Sequence, residues 1–310
     1  MQAPTRQELL TVMERAVAIA RENDEGAVAN YIPELAQAPA DTTSIAVTLL
    51  DGTCLTAGDA IDTPTTLQST SKLVVLIGLL EEVGIDEVTQ WTKFEPSGSD
   101  FASVARLDQF GPRPSNPMLN SGAISLCSHI PGNAEQKLAW LDDWMMRLFG
   151  TTLNLNHKVY ASERRTGDRN RCLAYLLKSR DMLADNVDEV LDTYFALCSF
   201  EANIVQASYL PLLLANGGKN PMGEQIISID TVRCVLSVMV TCGLYNESGT
   251  HMVRTGLPAK SGVSGYILAA ALNQAGIAVL SPRVNAKGTS VRGEIMLEQV
   301  SKAMGWHFAG

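Results

Sequence analysis

Residues 8–21 place Leu9, Val12, Met13, Ala16, Val17 and Ala20 at steps of three and four, the spacing of an amphipathic helix that lays one face on the body of the protein. The pattern then changes. Residues 44–50 are rich in β-formers, Asp51-Gly52 is a preferred two-residue turn, and residues 53–57 return, which predicts a hairpin. Near the other end, residues 265–272 and 277–280 predict two more strands about Asn273-Gln274-Ala275-Gly276, and residues 288–303 predict a closing helix.

Between these ends the period is helical. Leu138, Leu141, Met145 and Leu148 form one apolar stripe; Val187, Val190, Leu191, Tyr194 and Cys198 form another; Asn216-Gly217-Gly218 stops a third helix. Strands at both ends around a helical insertion imply a mainly antiparallel sheet built from both termini, with a helical lobe across a cleft. The expected division is one domain over residues 1–310, with an α/β lobe from about 1–65 and 220–310 and a mostly helical lobe from about 66–219. No internal repeat, low-complexity tract or Ser/Gly linker argues for a string of domains.

Composition narrows the function. With 310 residues, 46% of them apolar, the chain can bury a large core. The net charge of -9, without a dense run of Lys or Arg, disfavours nucleic acid and anionic membrane as partners and favours a small solute. Met1-Gln2-Ala3-Pro4-Thr5-Arg6 lacks the basic start and apolar stretch of a secretory signal, and the longest apolar run, residues 73–80, is too short to span a bilayer. A cytoplasmic protein is therefore expected. The six cysteines (54, 127, 172, 198, 234 and 242) contain no Cys-x-x-Cys pair and read as reduced core residues. His129, His157, His251 and His307 are too scattered to suggest a metal, and no cofactor is expected.

Ser69-Thr70-Ser71-Lys72 opens the apolar helix that begins near Leu73. Residues three apart share a helix face, so Ser69 and Lys72 can form a hydroxyl–amine dyad, provided that burial or a neighbouring cation brings the lysine towards neutrality. Alone the pair is weak: Ser69 reads equally well as an N-cap and Lys72 as a solvated first-turn residue. The second feature is Gly256-Leu257-Pro258-Ala259-Lys260-Ser261-Gly262-Val263-Ser264-Gly265, a glycine-flanked Lys-Ser-Gly leading into a predicted strand. Ser-x-x-Lys followed by Lys-Thr-Gly or Lys-Ser-Gly is the chain order of penicillin-recognising serine acyl enzymes, where glycine lets substrate approach the main chain and backbone N–H groups polarise an acyl oxygen.

From about Ala29 onward the chain resembles the serine-dependent glutaminases of bacteria. The matching blocks are Tyr31 to Ala36, Leu67 to Lys72, Asn116 to Ile124, Ser162-Glu163 with Asn170-Arg171, Gly243-Leu244-Tyr245, Lys260 to Val263, and Ser290 to Gly293. The resemblance implies a serine β-lactamase/transpeptidase-like fold, a homotetramer without a cofactor, and hydrolysis of L-glutamine to L-glutamate and ammonia through a Ser-linked γ-glutamyl intermediate. It makes Ser69 the nucleophile and Lys72 its activator, with Tyr245 and Lys260 in the catalytic group. It also nominates Tyr31, Ser69, Asn120, Glu163, Asn170, Tyr194, Tyr245 and Val263 as substrate contacts. The set suits a free amino acid, because Glu163 can meet an α-ammonium while amides and phenols bond the other polar ends.

Local sequence offers plainer alternatives: a core tyrosine at 194, a solvated ion-pair cluster of Glu163 with Arg164 and Arg165, a turn residue at Asn120 and a loop anchor at Tyr31. Two rival functions remain, a serine β-lactamase or peptidase-like hydrolase and a non-catalytic amino-acid-binding oligomer. The absent Ser-Asp-Asn motif counts against the first. Tyr266, where a smaller residue is expected, and the hairpin at Ala271-Leu272-Asn273-Gln274 depart from the family pattern.

Overall fold

The computed structural model describes residues 5–97, 111–184 and 186–310; Met1 to Pro4 of the N-terminal stretch lie outside the described residues. Its centre is a five-stranded antiparallel sheet drawn from both ends of the chain. The strands are β1 Ser44–Leu49, β2 Cys54–Gly58, β3 Ala259–Ser261, β4 Tyr266–Ala271 and β5 Ala275–Leu280, in the spatial order β2-β1-β5-β4-β3. Ala46 and Leu268 both face Ala278, so the N-terminal hairpin joins the C-terminal one through β5.

Strand alternation divides these residues between two cores. Ile45, Val47, Ile267, Ala269, Ile277 and Val279 pack with α1 (Arg6–Arg21) and the C-terminal helix (Val291–Met304). Ala46, Leu268, Ala270, Ala278 and Leu280 face the helical half. Because helices cover both faces, every residue of β4 and β5 is buried, which is why those strands read as continuous apolar runs.

Besides the short helical segments Pro33–Ala36 and Ile204–Ala207, the remaining helices among the described residues, in chain order, are α2 Lys72–Trp91, α3 Asn120–Ser128, α4 Ala134–Phe149, α5 His157–Thr166, α6 Asp168–Lys178, α7 Val187–Cys198, α8 Tyr209–Ala215, α9 Ile229–Cys242 and α10 Ser248–Thr255; the C-terminal helix is α11. Lys72 through Leu80 of α2 are all buried, so this helix runs through the middle of the helical half, as one that is apolar all round must. Helix α8 lies hard against the sheet. A Cβ at Gly276 would stand 2.1 Å from Leu212 N, so that approach requires glycine.

Several boundaries differ from expectation for local reasons. Helix α1 starts at Arg6 because Thr5 and Glu8 form a capping box. The first hairpin turns through three residues, with Gly52 at φ 85° and Leu49 N–H bonded to Thr53 O at 2.9 Å. The second does likewise: Ala271 pairs with Ala275, Asn273 takes φ 58°, and β5 begins at Ala275 instead of Ile277. The closing helix begins at Val291, where Ser290 Oγ accepts from Gly293 N at 3.1 Å. Leu138 is exposed, whereas all five residues of the α7 stripe are buried.

Among the described residues the six cysteines are free, but only Cys127, Cys198 and Cys242 are buried; Cys172 is exposed, contrary to its reading as a core residue. No helix among the described residues is long and apolar enough to cross a membrane.

Candidate active site

The chain enters the core helix through a tight turn. Thr65–Thr66 pairs with Phe200–Ala202, Leu67 N–H bonds Phe200 O at 2.8 Å, and residues Gln68–Ser71 form a 3₁₀ turn ahead of α2. Gln68 holds φ 48°, a strained value for a residue with a Cβ. Thr70 Oγ1 donates to Leu67 O and Ser71 Oγ to Gln68 O, both at 2.7 Å, which ties those hydroxyls to the turn. Ser69, between Gln68 and Thr70, is half-buried and lines a cavity of about 350 Å³. The turn is 3₁₀ and not the α-helix expected, which stacks residues three apart still more closely and puts Lys72 directly beneath Ser69 in the winding.

Lys72 is fully buried, and its Nζ donates to Met118 O at 3.1 Å and to Asn120 Oδ1 at 2.7 Å. Among the described residues it has no carboxylate partner, and burial pulls its pKa down to about 8. Lys260, on β3, is buried just as completely. Its Nζ donates to Ser261 O at 2.6 Å and lies 4.4 Å over the Tyr245 ring. Burial, and then the charge of Lys72, push the Lys260 amine well below the usual lysine range. Tyr245 is buried and holds φ 55°. Glycine fixes how closely these parts meet: a Cβ on Gly243 would stand 1.8 Å from Ala259 O, and one on Gly262 would stand 2.9 Å from Leu67 O. The Lys-Ser-Gly strand thus passes directly against the turn that carries Ser69.

Seven of the ten residues singled out from the sequence line the cavity: Tyr31, Ser69, Asn120, Glu163, Asn170, Tyr194 and Val263. Lys72, Tyr245 and Lys260 are not on its wall. Asn120 opens α3; besides accepting from Lys72, it donates through Nδ2 to Asn170 Oδ1 at 2.9 Å, which fixes the orientation of both amides. Glu163 does not join a surface ion-pair cluster. Arg164 pairs with Asp192 at 2.9 Å instead, while Glu163 is 6% exposed and accepts from Tyr31 Oη at 2.8 Å. Burial raises the Glu163 carboxyl pKa. Tyr31 leaves much of its ring exposed but turns its hydroxyl inward, where burial and the charge of Glu163 push the phenol well up. Tyr194 is both a core residue of α7 and part of the wall. The Val263 N–H, in the turn after β3, forms no hydrogen bond among the described residues.

Gln68, Thr166, Gly167, Arg169 and Cys198 also line the cavity and were not singled out as site residues. Gln68 is 3% exposed, with Oε1 accepting from Tyr31 at 3.0 Å and Nε2 left without a partner. Its place immediately before Ser69 was the available clue. Cys198 carries a thiol pushed up to about 12 by burial, and is therefore neutral. No three His, Cys, Asp or Glu side chains among the described residues stand together as a metal site requires.

The comparisons with known proteins bear on this geometry. Residues 26–308 match the family model described as Glutaminase. The chain is 60% identical over 304 residues to a glutaminase of Legionella pneumophila strain Corby, covering 97% of this chain and 98% of that one. It is 40% identical over 284 residues to a glutaminase of Clostridium tetani, covering 90% and 92%. Among solved structures, a probable glutaminase named ybaS superposes with a TM-score of 0.95 at 35% identity, over 99% of this chain and 100% of that one. A probable glutaminase of Bacillus subtilis does so with 0.87 at 33% identity, over 97% and 96%. The fold is accordingly the serine β-lactamase-like fold of those structures. With a family model matched from residue 26 to residue 308 and relatives aligned along nearly its full length, the chain belongs to the glutaminase family.

Proposed function

We propose that this enzyme, an amidohydrolase by its family, hydrolyses the side-chain amide of L-glutamine by acyl transfer through Ser69. Lys72 in its neutral form takes the Ser69 proton as Oγ attacks Cδ of glutamine, giving a tetrahedral oxyanion. The N–H groups of Ser69 and Val263 receive that charge. Tyr245 relays a proton to the departing ammonia, leaving a γ-glutamyl ester that water cleaves to glutamate. Glu163 meets the α-ammonium, while Tyr31, Asn120, Asn170 and Tyr194 hold the remaining polar groups.

The observation that carries this reading is the pair of fully buried lysines, Lys72 and Lys260, behind a half-exposed serine on a cavity wall. A buried amine with no carboxylate beside it is costly as a cation, and a second amine nearby makes it costlier, so a proton acceptor becomes available near neutrality. Replacing Ser69 with Ala should lower glutamate production in a coupled assay by at least about 10³-fold with the fold unchanged. Turnover within tenfold of the parent would eliminate Ser69 as nucleophile.

A cytoplasmic homotetramer is part of the same proposal. Six unpaired thiols favour a reducing compartment. Exposed Tyr175, Met222 and Val253 offer apolar surface for self-association. Cell fractionation and sedimentation of the purified protein test the two statements, and a secreted or monomeric protein would contradict them.

A further inference from the structure

The single helical turn Pro33–Ala36 seats a second acid behind the cavity. Ile32 and Leu35 pack with Val159 of α5, and this fixes the turn over the residues that lead to Glu163. Glu34 Oε1 accepts from Ser162 Oγ at 3.1 Å, and Ser162 is also contacted by Arg165 at 3.3 Å. Glu34 Oε2 is buried and has no hydrogen-bond partner. Among the described residues neither Glu34 nor Glu163 forms a direct ion pair, and exposed Arg165 reaches Glu34 only through the Ser162 hydroxyl, so two acids share one corner of the site.

Resting on the glutaminase reading above, we propose that Glu34 is a positioning residue: its charge, held by Ser162 behind Glu163, deepens the negative potential that captures the ammonium end of glutamine. It does not line the cavity and touches no substrate atom. Its effect is exerted through Glu163, whose carboxyl is raised first by burial and further by the charge of Glu34. Other groups face Glu163 from each element around it. Tyr31 bonds it, Gln68 lies beside it, neutral Tyr194 and Cys198 approach from α7, Arg164 is turned to Asp192, Arg165 bonds Ser162, and Arg169 stands elsewhere on the cavity wall. A raised carboxyl is protonated as pH falls, and the substrate ammonium then loses its counter-charge. KM for glutamine therefore rises on the acid side.

Two opposite effects of one substitution test this. In Glu34→Gln the weaker potential should raise KM at neutral pH about three- to tenfold. The acid rise should meanwhile begin at lower pH, because Glu163 no longer has a like charge beside it, so the two KM curves converge as pH falls. Maximal rate should change little. Glu34→Asp, which alters the packing but keeps the charge, should follow the parent curve more closely than Gln does. Steady-state KM measured across pH for all three proteins decides the matter. Parallel KM curves, or equal damage from Gln and Asp, would reduce Glu34 to a structural residue while leaving the glutaminase reading intact. A parent protein inactive on glutamine would overturn that reading instead.

Discussion

Lys72→Met removes the amine while keeping a flexible chain of similar length, and the structure predicts that it costs activity but returns stability. Lys72 titrates at about 8 in the folded chain against an ordinary 10.5, because folding strips water from the amine. Between those two values the unfolded chain holds a proton that the folded chain has released. Stability therefore rises with pH across the window: the contribution is fully present above 10.5 and is lost as pH falls through about 8. A difference of this size corresponds to about 3 kcal/mol. The parent should accordingly gain about 3 kcal/mol relative to Lys72→Met between pH 8 and 10.5. Lys260 adds to the same difference: its own depression owes part to the charge of Lys72, so in the variant it shifts less and contributes less slope, which widens the gap between the two curves. Urea unfolding of both proteins at matched pH values gives the difference directly. The parent's kcat/KM should climb through the same region near pH 8 as Lys72 becomes neutral. Stability curves that run parallel across the window would refute the buried-amine account of Lys72.

Glu163→Gln should raise KM for glutamine about 10²-fold, since an ammonium would enter a buried site with no counter-charge, while kcat falls less; steady-state kinetics separate the two. Gly243→Ala should lower stability by about 1–3 kcal/mol and depress activity further than that loss explains, because the new methyl would strike Ala259 O beside Lys260. Denaturation together with kcat read both effects, and a fully active variant would show that β3 tolerates displacement.

Elements with a sustained period were legible. The α7 stripe is buried as spaced, and α1 begins where its capping box permits. The errors lie where one residue's backbone decides the boundary. Gly52 and Asn273 adopt left-handed conformations that set each turn at three residues, one more than expected at the first and one fewer at the second, and apolar periodicity carries no information about φ. Leu138 fits its stripe by spacing yet stays 38% exposed, because it lines an open surface cleft with Asp142, Met146 and His157. The site was legible through ordered blocks and not through single residues. Ser69 and Lys72 stand out as a pair, whereas Cys198 sits four residues from Tyr194 on an apolar stripe and shows its other role only when α7 is placed against the cavity. Glu34 was invisible for the same reason: half-buried acids are identified by what they face.

Tyr266, larger than the resemblance leads one to expect, connects two parts of the candidate site. Its bulk lies wholly inside the sheet, and its hydroxyl donates to Ala202 O at 2.7 Å. Ala202 belongs to the short strand that pairs with Thr65, just ahead of Ser69. The tyrosine therefore ties the strand following Lys260 to the segment leading into Ser69, and both lysines are held from opposite sides of one junction. That junction has to be rigid. Two buried amines relax at once if either can swing into water, and a loop would let them do so. Lys72 begins a helix buried for its first nine residues, and Lys260 sits in a strand of the central sheet, so neither amine can regain solvent without opening a core. The lowered basicity of both buried amines, on which the proposed proton acceptance rests, is thus a property of how the two halves of the chain close on each other.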